Sequence, residues 1–179
     1  MSSTFNESYP TQYENQITLM NGKGVFLRPI LETDKYLLID LFNKLSSNSQ
    51  YMRFLTYLDA IPEDLLFRLT HVNYNNQFAI VAVIREDWKD SIIAVARYGY
   101  DPGENVTEFA VAVRDDWQHY GLGKLLLRKI FAIGKEHNIS RFVSTIDPTN
   151  HAMKHILREI GYTVKYSYRN GATQAVVLI

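Results

Sequence analysis

A chain of 179 residues with 46% hydrophobic content is long enough to bury one proper core and suits a single domain. Its 19 basic and 19 acidic side chains cancel, and no local Lys/Arg run breaks the balance, which argues against a nucleic-acid partner. With no cysteine there is no disulfide, zinc-thiolate site or thiol nucleophile, a composition compatible with a reducing cytoplasm.

The first dozen residues are polar and aperiodic, so residues 1–12 read as a flexible tail ahead of a domain spanning 13–179. MSSTFNESYP carries neither the basic nor the apolar region of a signal peptide. Ile17 to Met20 and Val25 to Leu27 flank Asn21-Gly22 and predict an opening hairpin. Thr33 then reads as the N-cap of a helix whose apolar positions are Leu37, Leu38, Leu41, Phe42 and Leu45, ended by Ser46-Ser47-Asn48-Ser49. Two shorter helices follow, over Gln50 to Leu55 and over Pro62 to His71.

Three β-rich runs come next, Gln77 to Arg85, Ser91 to Tyr100 and Val106 to Val113, with Asp101-Pro102-Gly103 turning the chain into the third. The longest wholly apolar run, Phe78 to Ile84, is far too short to span a bilayer, so no membrane partner is expected. After a long amphipathic helix, Arg141 to Ile146 predicts a strand. Thr149 or Asn150 caps a helix that stops at Gly161, and Tyr162 to Tyr168 pairs with Thr173 to Ile179 over Asn170-Gly171. This alternation predicts an α/β layer with a mixed sheet.

The stretch Arg114 to His137, RDDWQHYGLGKLLLRKIFAIGKEH, organises the rest. Leu122, Leu125, Leu126, Lys129, Ile130 and Ile133 fall three or four apart, so a helix begins near Gly121 and buries one stripe. Its first-turn N–H groups and dipole suit phosphate, and Gly121 and Gly123 put no side chain in the way. The spacing fits neither a dinucleotide fingerprint, since Leu126 stands where a third glycine is needed, nor a P-loop, since Leu125 follows Lys124.

What remains, Gln118-x-x-Gly121-x-Gly123 after a strand, resembles the acyl-CoA pyrophosphate loop of the GNAT superfamily of N-acetyltransferases. The block EFAVAVRDDWQHYGLGKLLLRKIFAIGKEHNISRFVSTIDPTNHAMKHILREIGY is similar to the core of those enzymes. ITLMNGKGVFLRPILETD and LSSNSQYMRFL narrow the similarity to the Pat-type protein lysine acetyltransferase domain. In that family the domain is often joined to a synthetase-like or cyclic-nucleotide-binding module, for which 179 residues leave no room. The resemblance implies a mixed, mostly antiparallel central sheet with helices on both faces. It also implies acetyl-CoA as co-substrate, no metal, and a protein lysine as the acceptor.

Acetyl transfer to an amine needs the neutral amine, while a lysine ammonium titrates near ~10.4, so a base is required. Glu108 shares a strand face with Val106, Ala110 and Ala112, where apolar flanks would raise its pKa; the plain alternative is a solvated glutamate. The resemblance assigns it the role of general base. It likewise assigns acetyl-CoA to main-chain groups of Val111, Ala112 and Val113, to the loop Gln118, His119, Tyr120, Gly121, Leu122, Gly123 and Lys124, and to Asn150, which could equally be only an N-cap. Pairing of that strand with the pantetheine arm requires the parallel strands to part beyond residue 113.

Many GNAT enzymes place a tyrosine acid on the last helix, but Leu157 stands there, leaving water or His155 to protonate the sulfur. His151 and His155 sit four apart without a third ligand, so no metal site is expected. Tyr9, Tyr13, Tyr51, Phe54, Tyr57 and Tyr74 could line an acceptor groove or pack in the core. The runner-up functions are acetylation of a small-molecule amine, such as a polyamine or antibiotic, and non-catalytic sensing of acyl-CoA.

Overall fold

The computed structural model describes residues 8–179. Eight strands form one sheet in the order β1-β2-β3-β4-β5-β6-β8-β7: β1 Asn15–Thr18, β2 Gly24–Pro29, β3 Gln77–Glu86, β4 Lys89–Asp101, β5 Val106–Val113, β6 Arg141–Ile146, β7 Thr163–Arg169 and β8 Ala172–Leu178. Every neighbouring pair is antiparallel except β5 and β6. Five helices cover the sheet: α1 Lys35–Lys44, α2 Ser47–Phe54, α3 Glu63–Thr70, α4 Leu122–Glu136 and α5 His151–Arg158. The expected α/β architecture, mostly antiparallel with helices on both faces, is what forms.

Alternation along the strands builds two apolar layers, because successive side chains point to opposite faces. Phe78, Ile80, Tyr98 and Phe109 pack against Leu126, Ile130 and Phe131 of α4, with Met153 and Leu157 of α5 beside them. Ala79, Val81 and Val95 face the other way and meet Leu38 and Leu41 of α1 and Leu66 of α3. Of the stripe expected of α4, Leu122, Leu126, Ile130 and Ile133 are buried and Leu125 and Lys129 only half-buried, while Leu127 and Phe131 are buried beside them. The helix starts at Leu122 with Gly121 as its N-cap.

Several local expectations are corrected. The first hairpin keeps Asn21-Gly22 at its tip, but β1 ends at Thr18; Gly22 N–H donates to Leu19 O at 2.9 Å and Leu19 turns into the core. Thr33 is not an N-cap. Buried Arg28 claims Asp34 in two hydrogen bonds of 2.7 and 2.8 Å, the same carboxylate accepts Leu31 N–H at 2.8 Å, and Thr33 falls inside a single 3-10 turn. The serine cluster does not end α1 but starts α2, with Ser46 Oγ accepting Ser49 N–H at 3.1 Å. Pro62 is the residue before α3, not its first.

The strands either side of Asp87-Trp88 run on to Glu86 and from Lys89, leaving a two-residue turn with φ of 47° and 65°. The closing hairpin turns over Asn170-Gly171 as expected, and β8 inserts between β6 and β7. Of the expected flexible tail, residues 1–7 lie outside the described residues. Pro10 is buried, Thr11–Tyr13 form a 3-10 turn, and Tyr9 O–H donates to Pro29 O at 3.4 Å.

Candidate active site

The parallel pair β5 and β6 is in register at one position only, Glu108 opposite Val143. Beyond it the strands part, well before Val113 rather than past it. The helices that follow the two strands, α4 and α5, lie close to this edge. They close on one another over Val113: a Cβ placed on Gly123 of α4 would sit 3.2 Å from Ile156 Cδ1 of α5 and 3.5 Å from Val113 Cγ2.

Arg114 N–H donates to Ile93 O of β4 at 2.8 Å. Alternation along an antiparallel strand then turns the main-chain groups of Val113 and Val111 away from β4 and into the gap. Ala112 is not brought there: it pairs with Val95 of β4 and its methyl joins the layer under α1. The Val113 carbonyl accepts Gln118 Nε2 at 2.9 Å, so the free groups on this edge are the Val113 N–H and both groups of Val111.

Gln118 begins the turn into α4. Its side chain folds back on β5 and reaches Ser49 Oγ at 3.4 Å, while Asp115 accepts Ser46 Oγ at 2.8 Å and Ser49 Oγ at 3.0 Å, tying α2 to this loop. His119, with φ of 67°, Tyr120 and Gly121 are exposed. Gly121 sits at φ 81°, a left-handed conformation that glycine takes at no steric cost. No side chain caps α4, and its first bond runs from Leu125 N–H to Gly121 O at 3.1 Å, which leaves the earlier amides without intrahelical partners.

Leu122 and Gly123 are buried, so the Leu122 side chain meets the core and not a ligand, and a Cβ at Gly123 would crowd Ile156. Lys124 directs its charge to Glu159 at 2.8 Å and not into the loop. An uncapped helix start beside an open strand edge suits a phosphate-bearing ligand with an amide-containing arm.

Glu108 stands where the strands part, on the sheet face opposite α4, and is exposed. Burial pushes its carboxyl above the ordinary range; Asp101 repels the charged form, Arg53 opposes the rise, and Glu104 adds to it. The rise expected from apolar flanks is therefore present, although two acidic neighbours contribute.

Two basic residues that sequence reasoning did not single out share this face. Arg53 of α2 and Arg97 of β4 line one cleft together with Leu38, Phe42 and Ala112. Burial lowers Arg53 to about 10. It lowers Arg97 to about 9, with Arg53's charge adding to the effect. An arginine inside the otherwise apolar run from Ile92 to Tyr98 was the available signal.

The aromatic set separates into distinct groups. Tyr51 stacks on Tyr57 at 4.9 Å and its hydroxyl lies 3.4 Å from Asp147 Oδ2, just past β6. Phe54 packs edge-on to Phe42. Tyr9, Tyr13 and Tyr74 gather elsewhere, around Phe78 at the start of β3.

On α5, Asn150 is the N-cap, its Oδ1 accepting Met153 N–H at 3.0 Å, while Thr149 is held by Asp147. Leu157 is 1% exposed within the core, and His155 points outward to Glu159 at 3.5 Å. Neither supplies a proton donor at the gap.

Residues 41–162 match the acetyltransferase (GNAT) family. The chain is 28% identical over 145 residues to an acetyltransferase of Pseudomonas aeruginosa, covering 81% of this chain and 78% of that protein. It is 29% identical over 147 residues to the acetyltransferase Pat of Mycolicibacterium smegmatis, covering 81% of this chain but only 43% of that longer protein. The crystal structure of the GNAT domain of S. lividans PAT superimposes with a TM-score of 0.87 at 26% identity, covering 96% of this chain and all of that one. The family match takes in β5, the loop, α4, β6 and α5 together. The chain belongs to the GNAT family of acetyltransferases, and it is an acetyl-CoA-dependent N-acetyltransferase.

Proposed function

We propose that this chain moves an acetyl group from acetyl-CoA directly to the ε-amine of a protein lysine, with Glu108 as general base. The observation that carries the reading is the position of Glu108 at the point where the sheet parts, its pKa raised, on the edge that offers Val111 and Val113 main-chain groups. Similarity to the Pat domains supports the lysine acceptor. The residues that would hold acetyl-CoA are Val111 and Val113, through their free edge groups, and His119 to Lys124, through the uncapped amides. Acetyl-CoA supplies the activated acyl group as a thioester.

Glu108 takes the proton of the incoming ammonium, directly or through one water, and a carboxyl with a raised pKa is a better match for that task. An edge N–H stabilises negative charge as it develops on the carbonyl oxygen. Acid assistance is dispensable, since a free thiol titrates near ~8.5 and the thiolate leaves unaided. That agrees with a core leucine at position 157 and an outward His155.

The test is incubation with acetyl-CoA and a cell lysate, following thiol release and mapping new acetyl-lysines. Both signals should appear together and both should be lost with Glu108→Gln. Release with amines but no acetyl-lysine would redirect the reading to a small molecule. Tight acetyl-CoA binding without release under any acceptor would make the chain a sensor.

A further inference from the structure

The fold treats its fully buried arginines, Arg28 and Arg114, and its half-buried ones, Arg53 and Arg97, in two ways. Arg28 is paired with Asp34 at 2.7 Å, and Arg114 with Glu86 at 2.6 Å and Asp116 at 2.7 Å, as expected where a guanidinium leaves water. Arg53 and Arg97 are treated differently. Among the described residues no carboxylate lies within the 4.0 Å of a salt bridge to either, although both line one apolar cleft. Arg97 donates only to the Leu69 carbonyl at 2.9 Å, and Arg53 lies over the Phe54 ring at 4.8 Å. Two like charges therefore share a partly desolvated cleft in which no described carboxylate pairs with either, Glu108 acting on Arg53 only from beyond salt-bridge range, and burial holds each guanidinium below its ordinary pKa.

Their position ties them to the reaction. Arg97 is opposite Ala110 and Glu108 opposite Gly99, so Arg97 and Glu108 are diagonal neighbours on the same face, about 7–8 Å apart at the backbone. Arg53 is close enough for its charge to act on Glu108. An amine delivered to Glu108 thus has any group a few bonds away beside two guanidiniums, which bind carboxylates through paired N–H donors.

We infer that Arg53 and Arg97 form an anion subsite, and that the preferred acceptor presents its amine together with a carboxylate. The inference rests on Glu108 marking the acceptor side, as proposed above. The carboxylate could belong to an acidic residue flanking an acceptor lysine or to a free amino acid, and the chemistry recognised is the same.

The test compares acceptors that differ only in charge: peptides with Asp or Glu beside the lysine against their Asn or Gln counterparts, and free amino acids against their carboxamides. The arm in which kcat/KM discriminates identifies the source. A charge-assisted hydrogen-bond pair predicts about a ten- to hundredfold preference for the anionic member. Arg97→Gln, and the double variant with Arg53→Gln, should bring that ratio close to one while acetyl-CoA affinity by calorimetry is retained. Equal use of charged and neutral acceptors by the unaltered protein, or a preference that survives in the double variant, overturns the subsite.

A second readout needs no turnover. N-acetylglutamate should shift the Nε resonances of Arg53 and Arg97 in the full chain. If those shifts occur but no amine is ever acetylated, the subsite stands and the acetyl-transfer reading falls. If acetylation proceeds without shifts or discrimination, the reverse holds.

Discussion

Replacing Glu108 by glutamine keeps the side chain's shape and removes the proton acceptor where β5 and β6 part. At pH 7.5 only about one lysine amine in a thousand is neutral, since the ammonium titrates near ~10.4, so an enzyme without a base must wait for that fraction. The expected loss in kcat/KM is thus about a thousandfold at pH 7.5, within the roughly 10²–10⁴ usual for general-base removal. Because each pH unit frees about ten times more amine, the defect should shrink about tenfold per unit and be only about tenfold by pH 9.5.

The assay is thiol release with a fixed acceptor across pH, with calorimetric acetyl-CoA binding as the control. Binding should hold, because the amides assigned to the donor lie on α4 and the far end of β5. Folding should hold as well. Glu108 has a raised pKa, so its charge opposes folding above that pKa, and a neutral replacement leaves the midpoint at pH 7 the same or higher. A near-native rate at pH 7.5, or a loss that is the same at every pH, would remove Glu108 from the proton's path.

Arg53 favours the charged form of Glu108, so Arg53→Gln should leave the carboxyl protonated to higher pH and move the acidic limb of kcat/KM upward; an unmoved limb would mean the two charges are uncoupled. Asp34→Ala strands the Arg28 guanidinium and should cost about 3–5 kcal/mol, roughly 10 °C or more in melting temperature, and a drop under about 2 °C would contradict a buried pair. Gly121→Ala forces a Cβ into φ 81° at a cost of about 1–2 kcal/mol and should weaken acetyl-CoA binding; an unchanged dissociation constant counts against this loop as the phosphate site. Trp88→Gly relieves a left-handed residue whose indole is 92% exposed, so the melting temperature should rise by about 2–4 °C, and a fall would assign the indole a contact that stabilises the turn.

Local chemistry was legible in the sequence wherever a signal acts within a few residues. The period of α4, the Gly121 turn and the Asn170-Gly171 hairpin depend on neighbours along the chain, and each appears where the residues put it. What escaped was decided across the fold. Thr33 has the chemistry of a cap, but Arg28 on β2 draws Asp34 into that region. The serine cluster reads as a stop until Asp115, far along the chain, is seen to hold Ser46 and Ser49 at the start of another helix.

Within the candidate site, Glu108 and the loop were readable because strand period and helix start mark them. Ala112 shares their stretch, yet the pleat sends it to the opposite side. Arg53 and Arg97 come from separate elements, α2 and β4, and only the folded chain brings them to one cleft. The place where the strands part is set by which residues of β5 and β6 find each other across the fold, Glu108 and Val143 alone, which no single segment encodes.

That parting leaves unfinished bonding in the interior of an eight-stranded sheet and not at its rim. A molecule that docks there becomes, in effect, a ninth strand made of something other than protein. Whatever binds only the folded chain raises its resistance to unfolding by mass action, about 2.7 kcal/mol at a hundredfold excess over the dissociation constant. Heat tolerance then becomes a gauge of thioester supply: the same chain would be hardier in a well-fed cell than in a starved one, before any acceptor has been touched.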